Sequence, residues 1–406
     1  MKNYKFSIIT PSHRHTEYFD ELWETIKSQT YQNWEWIIYL NGKFKEYQIS
    51  NEIKSDKRVK IYNGESHSNV GYIKNKAFSL GTGDILVEVD HDDLLSLDCL
   101  DELNIAFQDD EVGFAFSEDL LYDMRGNQTP WSRENGWTEE WVEFRGNSYM
   151  KVNSFPLTSH MIGIIWYAPD HVRSWRRSFY NQIGGHNPEL NICDDHELVI
   201  RSYLSTKFKF IDKILYYYRF LPDNNNTQSE RLESIQVTTF DLFHKYGQLL
   251  AERDADLNQL SKIELGPVLY PKDGYTLVDV VDGNISLPDN SVGVINASHI
   301  LQRIKDKQHI MSEIYRVLSD GGWAFIEVPS TDGRGAFQDP THVSYWNQNS
   351  FQYYTNKEKA IYINNDNVRF QEFRLDTNWW DDNVAVTTVW LSAVKSDKRR
   401  PHPVRI

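Results

Sequence analysis

Three carboxylates fall within four residues at Asp90-His91-Asp92-Asp93, directly after the apolar run Ile85-Leu86-Val87-Glu88-Val89. Like charges held that close repel one another unless a cation neutralises them. Hard oxygen ligands at a strand end suit Mg2+ or Mn2+, shared with substrate phosphates. The same residues also read as a solvated acidic turn that starts the next helix, because carboxylates favour helix N-termini. A second acidic pair, Asp194-Asp195, follows Gly184-Gly185 and opens a helical pattern. Helix N-capping is one reading of that pair.

The elements that must position these groups show in the hydrophobic periodicity. Up to about residue 115 the chain alternates strand and helix patterns. Phe6–Thr10, Trp34–Leu40, Val59–Tyr62, Asp84–Val89 and Val112–Phe116 read as strands. Phe19, Leu22, Trp23 and Ile26 recur at helical spacing, Gly71–Leu80 reads as a helix, and Leu97, Leu100, Leu103 and Phe107 mark another. This alternation predicts an α/β fold with a mostly parallel sheet covered by helices, whose ligands bind at the carboxyl ends of the strands.

Over residues 117–190 the rhythm is lost, and Trp131, Trp137, Trp141, Trp166 and Trp175 stand among Gly, Asn and Arg. Some of these rings must be core, and an aromatic-rich irregular stretch also suits stacking on sugars. A helical pattern returns over Cys193–Leu204. Beyond the polar break Asp223–Asn226, a helix-like connector runs to about Leu260. Ile263–Leu265, Thr276–Val281, Val292–Ala297 and Trp323–Val328 then read as strands, with an amphipathic helix on Ile310, Ile314, Val317 and Leu318. This is a second, Rossmann-like α/β unit. The expected organisation is a first domain over 1–226, a helical connector over 227–262, a second domain over 263–394 and a basic tail over 395–406 that includes Lys398, Arg399, Arg400 and Arg405.

The 406 residues carry 43 Lys+Arg against 58 Asp+Glu, a formal charge of −15 that argues against broad nucleic-acid affinity. The longest apolar run, Met161–Ala168, is too short to span a bilayer, and no secretory signal is visible. Two cysteines, Cys99 and Cys193, build neither a disulfide framework nor a thiolate metal cluster, as expected of a cytoplasmic protein.

The acidic run has company. The chain opens Phe6-Ser-Ile-Ile-Thr10-Pro11-Ser12-His13-Arg14, continues with Gln29-Thr30-Tyr31-Gln32-Asn33-Trp34-Glu35-Trp36, and then carries Asn69-Val-Gly71-Tyr-Ile-Lys74-Asn75-Lys76-Ala77 and Gly81-Thr-Gly83-Asp84. In this order the segments resemble the glycosyltransferase family 2 enzymes of GT-A fold, across roughly residues 5–220. The resemblance implies inverting transfer of a sugar from a nucleotide-sugar donor, a UDP-sugar first, to an acceptor hydroxyl on a glycan, a lipid-linked sugar, a protein or a modified base. It places Thr10, Pro11 and Ser12 in the nucleotide pocket. Asn41, standing with Leu40 where the family has acidic residues, could bond a base edge. Gly71, Lys74 and Arg219 fall near the nucleotide, and Arg219 could pair with phosphate oxygens.

Asp90 and Asp92 match the family's acidic motif for ribose and metal, with Asp92 the first ligand for Mn2+ or Mg2+ and Asp93 behind it. Asp195 matches the general base and Asp194 is its alternate, because a sugar hydroxyl is a poor nucleophile until a carboxylate takes its proton. His160 and His186 are further candidates near the site.

Ala297-Ser298-His299-Ile300-Leu301, Ser312–Gly322, Ile326–Pro329 and Gly333–His342 resemble the class I S-adenosylmethionine-dependent methyltransferases over roughly residues 262–380. The cofactor end departs from that family. Its Gly-rich turn reads Glu264-Leu265-Gly266-Pro267-Val268, Gly293 replaces an acidic residue, and Gln302-Arg303 stands where Glu-His is usual. Only Asp279 remains to bind ribose hydroxyls. These departures imply that S-adenosylmethionine binding is lost or weakened and that the unit serves homo-oligomerisation, acceptor positioning or stability. Two alternatives stand beside the leading reading: a bifunctional glycosyltransferase and methyltransferase acting on a glycan, and a non-catalytic carbohydrate-binding protein.

Overall fold

A computed structural model of the chain describes residues 1–396 except 15, 43, 123–137, 155, 220–228, 269, 281 and 366. Trp131, Trp137, the Asp223–Asn226 break and the basic residues of the tail therefore lie outside the described residues. The chain divides into two compact units between Tyr246 and Gly247.

The first unit is built on an eight-stranded sheet. In chain order its strands are β1 (Phe6–Ser12), β2 (Trp34–Leu40), β3 (Val59–Asn63), β4 (Ile85–Glu88), β5 (Leu94–Leu95), β6 (Val112–Tyr122), β9 (Ser174–Arg176) and β10 (Lys207–Arg219), while β7 (Glu139–Phe144) and β8 (Asn147–Val152) form a separate hairpin. The spatial order is β3-β2-β1-β4-β9-β6-β10-β5. Strands β3, β2, β1 and β4 run parallel, as do β6 and β10. The short β9 is antiparallel to both β4 and β6. Parallel pairing brings the carboxyl ends of β1, β2 and β4 to one edge, where the chain delivers Ser12, Asn41 and Asp90.

Helices α1 (Glu17–Lys27), α2 (Asn51–Ser55), α3 (Val70–Ser79), α4 (Cys99–Ala106), α5 (Ser159–Ile164), α6 (Arg177–Gln182) and α7 (Asp194–Ser205) complete this unit. The apolar face foreseen on α1 is buried through Phe19, Leu22, Trp23 and Ile26. The Trp23 and Phe19 rings stack on Trp36 of β2, with centroids 5.7 and 5.2 Å away. A 29-residue helix, α8 (Ser229–Leu257), runs through the division between the units. Among the described residues no helix is long and apolar enough to cross a membrane.

The Trp-rich stretch is less irregular than expected. Strand β6 extends through Tyr122, and Trp175 on β9 is fully buried between Phe114 and Phe78. Strand β10 escaped the periodicity because Lys209, Asp212 and Lys213 interrupt its alternation and its pairing with β6 shifts register between Ile211 and Tyr216.

The second unit holds a six-stranded sheet of β11 (Ser261–Gly266), β12 (Thr276–Asp279), β13 (Val292–Ser298), β14 (Leu318–Pro329), β15 (Phe370–Trp379) and β16 (Ala385–Ala393), in the order β12-β11-β13-β14-β16-β15. The first four are parallel, and β16 is antiparallel to both β14 and β15. Helix α9 (Lys307–Val317) buries Ile310, Met311, Ile314 and Val317, and the Asp306 side chain caps it by accepting from His309 N. The β15–β16 pair was not foreseen. Every residue of β16 is buried, so no alternation of polar and apolar residues marks it.

One buried charge holds the edge of the first sheet. Glu35, on β2, accepts from Lys5 Nζ and Lys60 Nζ at 2.7 Å each, from Ser7 Oγ at 2.7 Å and from Thr82 N at 2.7 Å. Burial opposes its charge, but the two ammonium groups outweigh burial and hold the carboxylate below its usual range. We expect Glu35→Gln to lower unfolding stability at neutral pH by about 2 kcal/mol, since both lysines are partly solvated. A depressed carboxylate stabilises above its unfolded pKa and loses that contribution as pH falls. The difference between the two proteins in urea melts should therefore narrow as pH drops below about 4.

Candidate active site

Strand β4 ends at Glu88, and the chain then turns through Val89, Asp90, His91, Asp92 and Asp93. Three neighbouring carboxylates do not remain equivalent. Asp93 is buried and accepts from Tyr216 Oη and from Arg219 N, each at 2.7 Å. Burial, with Asp92 and Asp90 beside it, pushes the Asp93 carboxyl well above its usual range. It is an internal anchor that ties the acidic turn to β10. The tie is reinforced by Asp90 N donating to Tyr216 Oη at 3.1 Å and by Arg219 Nε donating to the Asp92 carbonyl at 2.8 Å.

Asp90 and Asp92 are half-buried, and their carboxylates make no hydrogen bond or ion pair among the described residues. The His91 ring lies beneath His13, edge to face at 5.5 Å, and its buried Nε2 has no partner among the described residues. Two unengaged carboxylates at a strand end fit a hard divalent cation. Among the described residues no three metal-binding side chains converge. An ion held by Asp92 and Asp90 would thus complete its shell with diphosphate oxygens and water.

The other predicted nucleotide residues are placed as follows. Thr10 is buried and its Oγ1 accepts from Trp36 Nε1 at 3.0 Å; Pro11 is half-buried; Ser12 Oγ donates to the Arg14 carbonyl at 2.9 Å. Asn41 N donates to the Ser12 carbonyl at 2.7 Å, and the Asn41 amide pairs with both the N–H and the carbonyl of His67 at 2.9 Å. That amide is engaged by backbone and fixes the His67 segment beside the end of β2. Gly71 sits where a Cβ would come within 2.2 Å of the Asn187 carbonyl and 3.2 Å of Asp194 Cβ. Only glycine lets the first turn of α3 press so closely on the second acidic segment. Arg219 is fully buried, its Nη2 3.2 Å from Glu21 and its guanidinium 4.0 Å over the Tyr18 ring.

Beneath the pocket the charges alternate. Lys74 Nζ donates to Glu88 at 2.5 Å, Glu88 lies 3.9 Å from Arg173 Nη1, and that same Nη1 donates to Asp195. Arg173 also donates from Nε to the Pro169 carbonyl at 2.9 Å and from Nη2 to the Tyr167 carbonyl at 3.1 Å, so its fork cannot rotate. Burial disfavours every charge in this row, yet each is outweighed by its neighbours. Glu88 is held down to about 2, Lys74 well above its usual range, and Asp195 below the usual carboxylate range, with Arg173 and Lys74 the main opposing charges.

Asp194 behaves in the opposite sense. It is buried against Gly71, its Oδ2 has no hydrogen-bond partner among the described residues and lies 3.9 Å from His186 Nε2, and burial raises it to about 7. The Asp195 side chain is 22% exposed and that of Asp194 4%, so only Asp195 reaches solvent appreciably. His186 is buried and bonded to Tyr180 Oη at 2.8 Å, with burial pushing it down to about 3; His160 is buried within α5. Glu88, Arg173 and Tyr216 were not singled out from the sequence. A glutamate inside the apolar run of β4 was the one available signal, because a buried charge demands a partner.

Residues 7–168 match the model of glycosyl transferase family 2. The chain carries a family 2 glycosyltransferase domain. A second match, to a methyltransferase domain, covers residues 235–326.

Among solved structures, this glycosyltransferase is similar to S. aureus TarS 1-349, with 18% identity over 63% of this chain and 73% of that chain and a TM-score of 0.44. TarS 1-349 in complex with UDP-GlcNAc gives 17% identity over 62% and 73%, with a TM-score of 0.45. The mannosyltransferase PcManGT from Pyrobaculum calidifontis, in complex with GDP-Man and Mn2+, gives 12% identity over 62% and 69%, with a TM-score of 0.44. A comparison with curated proteins finds no match.

The second unit does not fit S-adenosylmethionine. A class I cofactor turn leads from the first strand into a helix whose N-terminus faces the ligand. Here β11 passes to β12 through residues 267–275, with no helix among the described residues. Glu264 at the turn accepts from Lys272 N at 2.6 Å and Asn296 Nδ2 at 3.0 Å, and Gly266 is covered by the Leu277 side chain. Asp279, the residue expected to bind ribose hydroxyls, is exposed.

Removing Arg173 from the alternating row would leave Glu88 and Asp195 without their shared cation. Arg173→Gln should lower stability by about 3–5 kcal/mol, read as the shift in urea midpoint.

Proposed function

We propose that the first unit is an inverting, divalent-metal-dependent glycosyltransferase that moves a sugar from a nucleotide-sugar, first among them a UDP-sugar, to an acceptor hydroxyl. The observation that carries this reading is the division of labour among the carboxylates. Asp90 and Asp92 stay unengaged among the described residues at the end of β4, while Asp195 opens toward solvent from α7, and the buried row through Glu88 and Arg173 joins the two.

Asp92, with Asp90, would hold Mn2+ or Mg2+; when bound, such an ion neutralises charge developing on the departing diphosphate. Thr10, Pro11 and Ser12 line the nucleotide side, with Asn41 fixing the adjoining His67 backbone. Asp195 takes the proton from the acceptor oxygen as that oxygen attacks the anomeric carbon and the bond to the diphosphate breaks. One base on the acceptor side suffices for inversion by in-line displacement. Arg173 fixes the orientation of that carboxylate. Asp194, raised to about 7 but buried, is held in reserve beneath it. Trp141, 69% exposed on the β7–β8 hairpin, offers a ring for the acceptor sugar. Both cysteines are free and buried, consistent with a cytoplasmic setting.

Asp92→Asn and Asp195→Asn should each reduce transfer at least about a thousandfold; the urea midpoint should hold for Asp92→Asn and fall for Asp195→Asn, which takes from the buried Arg173 its contacting anion. EDTA should stop hydrolysis of the donor, and Mn2+ or Mg2+ should restore it. Near-normal turnover of Asp195→Asn would remove the base assignment. The acid limb of kcat/KM should lie below the ordinary carboxylate range, because a base held down by Arg173 stays deprotonated to lower pH. Arg173→Lys, which keeps the charge and loses the fork, should move that limb upward.

A further inference from the structure

At the carboxyl ends of β13 and β14 the second unit exposes rings that no packing contact uses up. Trp380 is 67% exposed, Phe337 59% and Tyr345 44%. Trp380 lies against the His299 ring at 5.8 Å, and Phe337 pairs with Tyr345 at 5.1 Å. Polar side chains link the two sets. Arg303 Nη2 is 3.4 Å from Asp339 Oδ2, and His342 Nε2 is 3.5 Å from the same oxygen.

The surface is rigidly built. Gly333 lies where a Cβ would meet Ala385 N at 2.5 Å, and Arg334 N donates to the Asn383 carbonyl at 2.6 Å. Asp339 Oδ1 accepts from Thr341 N and Oγ1, and His342 Nδ1 sits 2.9 Å from the Ala336 carbonyl. His299 adopts a positive φ of 53°, a strained backbone for a non-glycine residue. The segment 333–342, singled out in the sequence, finds no use in the transfer chemistry of the first unit, and the cofactor end of its own unit is closed by Leu277 and the 267–275 turn.

We propose that this strand-end face binds a glycan, with sugar C–H faces stacked on Trp380 and on the Phe337–Tyr345 pair and sugar hydroxyls bonded to His299, Arg303 and Asp339, the buried His342 side chain holding Asp339 in place. Exposed rings interleaved with planar polar groups suit the mixed apolar and hydroxyl surface of a sugar. A phosphate polymer fits poorly, because Glu327, Asp332, Asp339, Asp381 and Asp382 outnumber Arg303, Arg334 and Lys307 on the segments that carry the rings. The choice of a glycan over another polyhydroxylated ligand rests on the glycosyltransferase reading of the first unit, whose acceptor or product it would be.

The test is retention of the full chain on an immobilised glycan array, comparing wild type with Trp380→Ala, Phe337→Ala and, as an exposed ring elsewhere, Tyr47→Ala. Wild type and Tyr47→Ala should retain the same glycans, and each of the other two should lose at least about tenfold in apparent affinity. Thermal melts of all four should coincide, since the substituted rings are exposed. Absence of retention by wild type, or retention unaltered by both Trp380→Ala and Phe337→Ala, overturns the proposal. The same result holds if those two substitutions instead disperse a homodimer in light scattering with glycan retention unchanged. Donor hydrolysis by wild type, measured separately with Mn2+, reports on the first unit alone, so failure of either reading is distinguishable.

Discussion

A row of alternating charges under the pocket, Lys74–Glu88–Arg173–Asp195, is the constraint on which the active site depends. Its members come from α3, β4, the approach to β9 and the start of α7. Each would be strongly disfavoured alone in that interior. Together they compensate one another, and the compensation works only if four separate elements bring these charges within about 4 Å of one another. The row therefore both draws four elements of the first unit together around the strand ends and holds the Asp195 carboxyl below its usual range.

That row also explains why neighbouring carboxylates take opposite characters. Asp195 is held below its usual range by a cation in contact, while Asp194, one residue earlier and buried against Gly71, is raised to about 7. The same sorting occurs in the acidic turn. Asp93 points inward to Tyr216 and to the backbone of Arg219, and this anchorage leaves the half-buried Asp90 and Asp92 carboxylates without partners among the described residues. Repulsion within the cluster is relieved for one member by burial of a raised carboxyl.

The second unit shows how a fold can persist when its usual ligand site does not. Its parallel strands and the face of α9 keep a continuous core from Ile263 to Ala393. The turn after β11 is instead a compact structural link: Glu264 caps it from within, and Lys272 and Tyr275 bond Glu252 on α8. Core packing and ligand cradling place separate demands on such a sheet, so one can be lost while the other survives.

The sequence by itself determined the alternation of strands and helices up to Phe116 and again from Ile263 to Val328, because apolar periodicity reports burial directly. It also determined that carboxylates would gather at residues 90–93 and at 194–195, since a strand end and a helix start are local features. It did not disclose β10, whose lysines and register shifts blur the pattern, nor β16, buried on both faces. Nor could it assign roles within the clusters. The sequence suggests phosphate oxygens for Arg219 and says nothing of Glu21 and the ring of Tyr18, which the fold places beside its guanidinium. Lys74 was read near the nucleotide, and the fold gives it Glu88. Arg173, unremarked in the sequence, became the partner of Asp195. A charged side chain's chemistry depends on which opposite charge lies within a few ångströms and how far water is excluded, and only tertiary contact between distant segments decides both.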